Sequence, residues 1–145
     1  MTVHLVKLCV GASSIEDLVA WQRERLAEMK KAGQKPRITH STFQTPKRDA
    51  DLLDGGSLFW VIKGLIQARQ KLVALDNGSR PDGTPCCLLV LDPKVIPVRP
   101  VPRRAFQGWR YLTPPDAPPD LKSGESSLAD MPPAMRRQLA DLGLI

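Results

Sequence analysis

No run of apolar residues in this sequence approaches the ~20 that a bilayer-spanning helix needs, which excludes a transmembrane helix. The opening Met1-Thr2-Val3-His4-Leu5-Val6-Lys7 lacks both a basic leader and a longer apolar stretch. It reads as a first strand, in a protein expected to be cytoplasmic and to have no membrane partner. Cysteine is scarce and badly spaced. Cys9, Cys86 and Cys87 are an odd number, and neighbours on a strand point to opposite faces, so Cys86 and Cys87 cannot pair without strain. With only His4 and His40 besides, no C-x₂₋₄-C or H-x₃₋₅-H spacing exists, so no metal site and no cofactor is expected. Phosphate-loop and dinucleotide fingerprints are missing too, because neither G-x-x-x-x-G-K-[ST] nor G-x-G-x-x-G occurs. There is no internal repeat.

Acidic residues are missing from three long stretches. Met29 to Arg48 carries Lys30, Lys31, Lys35, Arg37, Lys47 and Arg48 with no Asp or Glu. Pro93 to Pro115 carries Lys94, Arg99, Arg103, Arg104 and Arg110, and Gly55 to Leu75 carries Lys63, Arg69 and Lys71, again without an acid. The net charge is +6, and this separation of signs suits a surface with one positive face. The competing reading scatters the same cations over unrelated solvated faces.

What is present is enough for one core. A chain of 145 residues buries roughly 68–70% of its unfolded surface, and 42% hydrophobic with 25% charged residues argues against wholesale disorder. Val3 to Val10 reads as a buried strand. Ser13 or Ser14 then caps a helix with Glu16 and Asp17 in its first turn. Ile15, Leu18, Val19, Leu26 and Met29 form its apolar stripe, Trp21 sits at the edge, and Gly33 ends it. Arg37 to Phe43 alternates and is rich in Thr, which predicts a second strand. Asp54-Gly55-Gly56 signals a turn.

Ser57 to Leu75 fits both a helical stripe and strands; Leu58-Phe59-Trp60-Val61-Ile62 and the interrupting Gly64 favour strands. Asp76-Asn77-Gly78-Ser79 and Pro81-Asp82-Gly83 are expected to turn the chain into an antiparallel partner, Cys86 to Leu91. Prolines 93, 97, 100 and 102 keep the following stretch extended and at an edge. Phe106 to Leu112 reads as one more strand with a bulge at Gly108.

The expected organisation is therefore a single α+β domain over residues 1–112, a Pro-rich arm over 113–130 and a short C-terminal helix within 131–145. Five or six strands would form a small, curved or barrel-like, mostly antiparallel sheet with one long N-terminal helix at its side.

The strongest chemical constellation is Arg103-Arg104-Ala105-Phe106-Gln107-Gly108-Trp109-Arg110-Tyr111. Arginine forks match phosphate geometry, and aromatic rings can stack on unpaired bases. Packing in a core is the alternative role for Phe106, Trp109 and Tyr111. A second group lies in Lys63 to Gln70. There Arg69, if the segment were helical, would lie inside the apolar stripe as a buried, paired cation or pocket residue, and Gln67 and Gln70 could face a base edge or simply be solvated. His40, Ser41, Asp49 and Asp51 share a neighbourhood, but no G-x-S-x-G elbow surrounds Ser41, and a triad needs spatial proof.

Two groups of motifs carry a family resemblance. The first runs from His4-Leu5-Val6-Lys7-Leu8-Cys9-Val10-Gly11 to Asp17-Leu18-Val19-Ala20-Trp21-Gln22. The second comprises Trp60-Val61-Ile62-Lys63-Gly64, Arg69-Gln70, Leu91-Asp92-Pro93 and the block from Arg103 to Leu112. Over about the first 120 residues the chain resembles an uncharacterised family of short bacterial proteins known mainly from alphaproteobacteria, a resemblance that brings no activity. A weaker similarity, to PUA/ASCH-like small barrels, rests on strand order, the Trp60 to Gly64 strand and basic barrel edges. It implies binding of RNA or modified bases by fold analogy alone.

The expected partner is nucleic acid, preferably RNA. Arg37, Lys63, Arg69, Arg103, Arg104 and Arg110 would meet phosphates, while Trp109, Tyr111 or Trp60 would stack on a base. An enzyme acting on a nucleotide or anionic small molecule in a barrel pocket is the first alternative, using Lys63, Arg69, His40 or Asp51. The second is an adaptor for an acidic protein or ribosomal surface, using the arm and terminal helix.

Overall fold

The structure is a computed structural model that describes residues 1–121. The C-terminal helix expected within 131–145, and the arm beyond residue 121, lie outside the described residues. The ordered elements are β1 (His4–Leu8), α1 (Ile15–Lys31), β2 (Ile38–Thr42), α2 (Asp49–Leu52), β3 (Ser57–Ile62), β4 (Leu65–Ser79), β5 (Pro85–Leu91), β6 (Ile96–Pro102) and β7 (Trp109–Leu112), followed by a 3-10 turn at Pro114–Asp116.

The seven strands make one mixed sheet in the order β2-β5-β4-β3-β1-β7, with β6 pairing β4 off that path. Only β1 and β3 pair in parallel among the described strands, with Leu5 opposite Leu58; the other pairings are antiparallel. The expectation of an α+β fold stands. The expected barrel is corrected: no ladder joins β2 to β7 among the described residues, so the sheet does not close.

Ser57 to Leu75 is strand because both of its faces are needed. Leu58, Trp60 and Ile62 enter one apolar cluster with Leu5, Leu18, Leu72 and Leu89, while Phe59 and Val61 enter another with Val6, Ile66, Val98 and Leu112. A surface helix buries one stripe, whereas alternating strand residues serve two layers. The β3–β4 hairpin turns on Lys63 (φ 50°) and Gly64 (φ 77°). Positive φ at both central residues is the mark of a type I′ turn, whose twist matches the flanking strands.

Other local expectations need revision. Asp76 to Ser79 is not a turn but the end of the 15-residue β4, paired from Asn77 to Ser79 with Cys87 to Pro85. Gly78 has no positive φ, and a Cβ there would lie 2.7 Å from Leu88 Cγ, so it serves close packing instead. The chain reverses at Pro81-Asp82-Gly83, where Gly83 (φ +87°) donates to the Arg80 carbonyl at 2.8 Å. The last strand is shorter than expected, starting at Trp109 because Gly108 (φ +70°) breaks the extended run. Between β2 and β3 the chain also forms the four-residue α2, which its polar composition hid.

Helix α1 is capped by Ser14, whose hydroxyl accepts from Asp17 N at 3.1 Å, and Gly33 (φ +74°) follows its end. Its buried residues are Leu18 and Gln22. Gln22 and Gln70 exchange two hydrogen bonds of 2.8 Å; Gln70 Oε1 also accepts from Trp60 Nε1 at 2.9 Å, and its Nε2 donates to the Asp92 carbonyl at 3.0 Å. This satisfied polar cluster seats the helix on the apolar side that holds Trp60.

Candidate nucleic-acid interface

The two ends of the strand path come close without pairing. Trp109 Nε1 donates to the Gln44 carbonyl at 2.8 Å, just past β2. The Tyr111 hydroxyl accepts from Lys47 N and Arg48 N at 3.0 and 3.2 Å. The two rings meet edge to face at 4.8 Å, sharing a face of β7 as the strand alternation predicts. Their polar atoms thus tie β7 to the loop after β2.

Above this seam lies a cleft of about 620 Å³. Lys7, Arg80 and Arg110 supply its cations, and Phe43, Phe106 and Trp109 its rings. No Asp or Glu is among the described residues that line it. Phe43 is 73% exposed, a large apolar surface left to solvent. The Arg80 guanidinium stands 3.6 Å from its ring centroid. Arg103 and Arg110 lie 5.5 and 5.2 Å from the Phe106 centroid. Arg110 also donates to the carbonyls of Gln107 and Trp109, which steadies the loop at the cleft wall. Half-buried Lys7 has its pKa lowered by burial.

The basic residues named from sequence divide into two groups. Arg103 N donates to the Gly64 carbonyl at 2.8 Å, which brings the exposed Lys63 turn beside Arg103 and Arg104. Among the described residues none of Lys63, Arg103, Arg104 and Arg110 forms an ion pair. Arg37 and Arg69 do. Arg37 Nη1 meets an Asp76 carboxylate oxygen at 2.6 Å. Arg69 grips Asp120 with two hydrogen bonds of 2.7 and 2.8 Å and donates to Ser57 Oγ at 2.9 Å. Its pKa is raised, chiefly by the hydrogen bonds it donates to Asp120.

The pair also holds the start of the arm. Asp120 bridges to Val98, Arg99 N donates to the Pro119 carbonyl at 2.9 Å and Leu121 N to the Pro97 carbonyl at 3.0 Å. The glutamines are occupied as well, Gln67 on the Ile62 carbonyl at 2.7 Å and Gln70 in the buried cluster. Trp60 is 2% exposed and belongs to the core.

Sequence reasoning passed over Lys7, Phe43 and Arg80. They come from β1, the end of β2 and the β4–β5 turn, and only Phe43 carried a readable signal, as an aromatic closing an alternating strand. His40 packs edge to face on Trp60 at 5.0 Å. Its pKa is pushed down to about 4 by burial, then by the charges of Lys7 and Arg25, so the imidazole is neutral at pH 7. Burial raises Cys9 to about 11, an unreactive thiol. No three His, Cys, Asp or Glu side chains gather as a metal set among the described residues, and no described helix is long and apolar enough to cross a membrane.

A family model described as a protein of unknown function (DUF1489) matches residues 5–145, beyond the stretch over which the motifs quoted above run. No curated protein and no solved structure matches the chain.

Proposed function

Because the chain belongs to this family of unknown function, we propose its role from its own residues: a cytoplasmic module that binds single-stranded or unpaired RNA along the cleft between β2 and the 103–110 loop. One observation carries this reading. Three cations and three aromatic rings line one cleft without a described carboxylate among them, and an arginine stacks on its most exposed ring, Phe43. A groove that tracks phosphates while offering rings to bases is what sequence-tolerant single-strand binding requires.

Arg80 and Arg110 meet phosphates in the cleft, and Lys63, Arg103 and Arg104 extend the track past Phe106. Arg37 and Arg69, each already opposite a carboxylate, contribute less. Phe43 and Phe106 take the stacking role first given to Trp109 and Tyr111, whose polar atoms hold the seam. The open, curled sheet keeps the likeness to PUA/ASCH-like barrels as part of the proposal, and the bacterial origin belongs to it too.

The test is anisotropy titration of a fluorescent single-stranded RNA at several salt concentrations. Removing two phosphate contacts in Arg80→Ala/Arg110→Ala should flatten the slope of log affinity against log salt by about 1.4, from ~0.7 per contact. Arg103→Ala/Arg104→Ala should flatten it by a similar amount. If both double variants keep wild-type affinity and slope, the reading fails.

A further inference from the structure

Beside the cleft lies a smaller pocket of about 190 Å³, between α1 and the β1–α1 loop. Its aromatic lining is Trp21 from α1, His40 from β2 and Trp60 from β3, with Cys9 and Ala12 from the loop. We propose that this pocket receives a single unstacked nucleobase of the bound strand. The proposal rests on the nucleic-acid reading above and deepens it.

Size is the first argument. Pockets for drug-sized ligands begin near ~300 Å³, so this one suits a single ring system and not a whole nucleotide. Lining is the second. Trp21, 46% exposed at the rim, offers a ring face, and Trp60 with the His40 ring packed edge to face forms the inner wall. The neutral imidazole has one donor and one acceptor, as a base edge needs, and presents no charge to an uncharged heterocycle. The one carboxylate in the lining, Asp17, already accepts from Ser13 N at 3.1 Å and so is held at the helix start.

Position is the third argument. Val10 borders both this pocket and the basic cleft. Trp21 and His40 also line an adjoining groove of about 340 Å³ that contains Arg25 and Arg80. Arg25 lies 5.2 Å from the Trp21 ring. A strand entering from the cleft therefore meets cations on both sides of the pocket, with phosphates outside and one base turned in. Turning a base out costs least where it is already unpaired, which agrees with a single-stranded ligand.

Two variants test this against two probes. The probes are a single-stranded RNA and an equally long sugar-phosphate oligomer of abasic units. Trp21→Ala removes the rim ring on a half-exposed helix position where Ala is well tolerated; Ala12→Leu adds bulk to the pocket lining and keeps the Trp21 ring. Each should weaken the base-bearing strand about tenfold, the loss expected for one stacked base, and leave the abasic oligomer unchanged. Equal weakening of both probes, or none for the base-bearing strand, overturns the pocket while RNA binding itself stands. If the wild-type chain binds neither probe, the functional reading falls and the pocket falls with it.

Discussion

The guanidinium of Arg80 sits 3.6 Å from the ring centroid of Phe43, clamping the β4–β5 turn against the end of β2. Neither residue has a neighbour in sequence that announces the other. Their contact builds one wall of the basic cleft and leaves the outer ring surface open to solvent. An exposed cation–π pair contributes about 0.5–1 kcal/mol, so its value to folding is small and its value to a ligand is testable.

Phe43→Ala should therefore cost little stability but weaken single-stranded RNA binding by about 5- to 100-fold, the range for one lost stacking platform. Phe43→Tyr should restore it. A double-mutant cycle with Arg80→Ala should show coupling in binding, since the two groups form one surface. Additive losses would mean that the ring and the cation act apart.

The Gln22–Gln70 pair predicts a core penalty. Gln70→Leu leaves Gln22 and the Trp60 indole N–H without their partners inside the core. Each buried group so orphaned costs about 1–3 kcal/mol, so a lowered urea midpoint with unchanged m-value is expected. Gln22→Leu with Gln70→Leu should recover part of the loss, because removing both partners spares the desolvation of a lone amide.

His40 links stability to acid. Its folded pKa of about 4 lies below the ordinary 6.5, so the unfolded chain binds a proton that the folded chain does not. The stability this contributes is complete above pH 6.5 and is lost as pH falls toward 4, on the order of 3 kcal/mol. His40→Gln should flatten that decline in urea unfolding between pH 7 and pH 4.5. A variant with the wild-type slope would show that other groups carry it.

The Arg69–Asp120 clamp should govern how tightly residues 114–121 lie on β6. Asp120 has its pKa lowered, first by its hydrogen bonds to Arg69, so its contribution is present at neutral pH and is lost as pH falls through the acid range. Both side chains are partly solvated, which limits the pair to about 1 kcal/mol. Asp120→Asn should speed proteolysis near Pro114 to Leu121 while changing the melting temperature by only a few degrees. Unchanged cleavage would mean that the backbone bonds to Pro97 and Arg99 suffice.

Several elements were legible because their cause is local. Ser14, the Leu18–Leu26 spacing and Gly33 lie within the helix they define, and hydrogen bonds over three or four residues are written in neighbouring letters. The apolar run of β3 favoured a strand but also fitted a helical stripe, and the burial of both its faces decided it. Gln22 was missed although it lies four residues from both Leu18 and Leu26, since a polar residue on a buried stripe only makes sense once Gln70 faces it. Gly78 was misread for a similar reason: a glycine serving a turn and one making room for Leu88 look the same in sequence.

By itself the sequence determined the helix, several of the strands, the absence of a long apolar run and the acid-free stretches, all properties of residue order over short distances. Only the tertiary structure decided which cations would be spent on carboxylates: Arg37 on Asp76, 39 residues away, and Arg69 on Asp120, 51 away. Sheet register and the meeting of β7 with the loop after β2 set those encounters, and likewise gathered Lys7, Phe43 and Arg80 round one cleft. Periodicity says which face a residue takes; what that face meets depends on where distant strands are laid down.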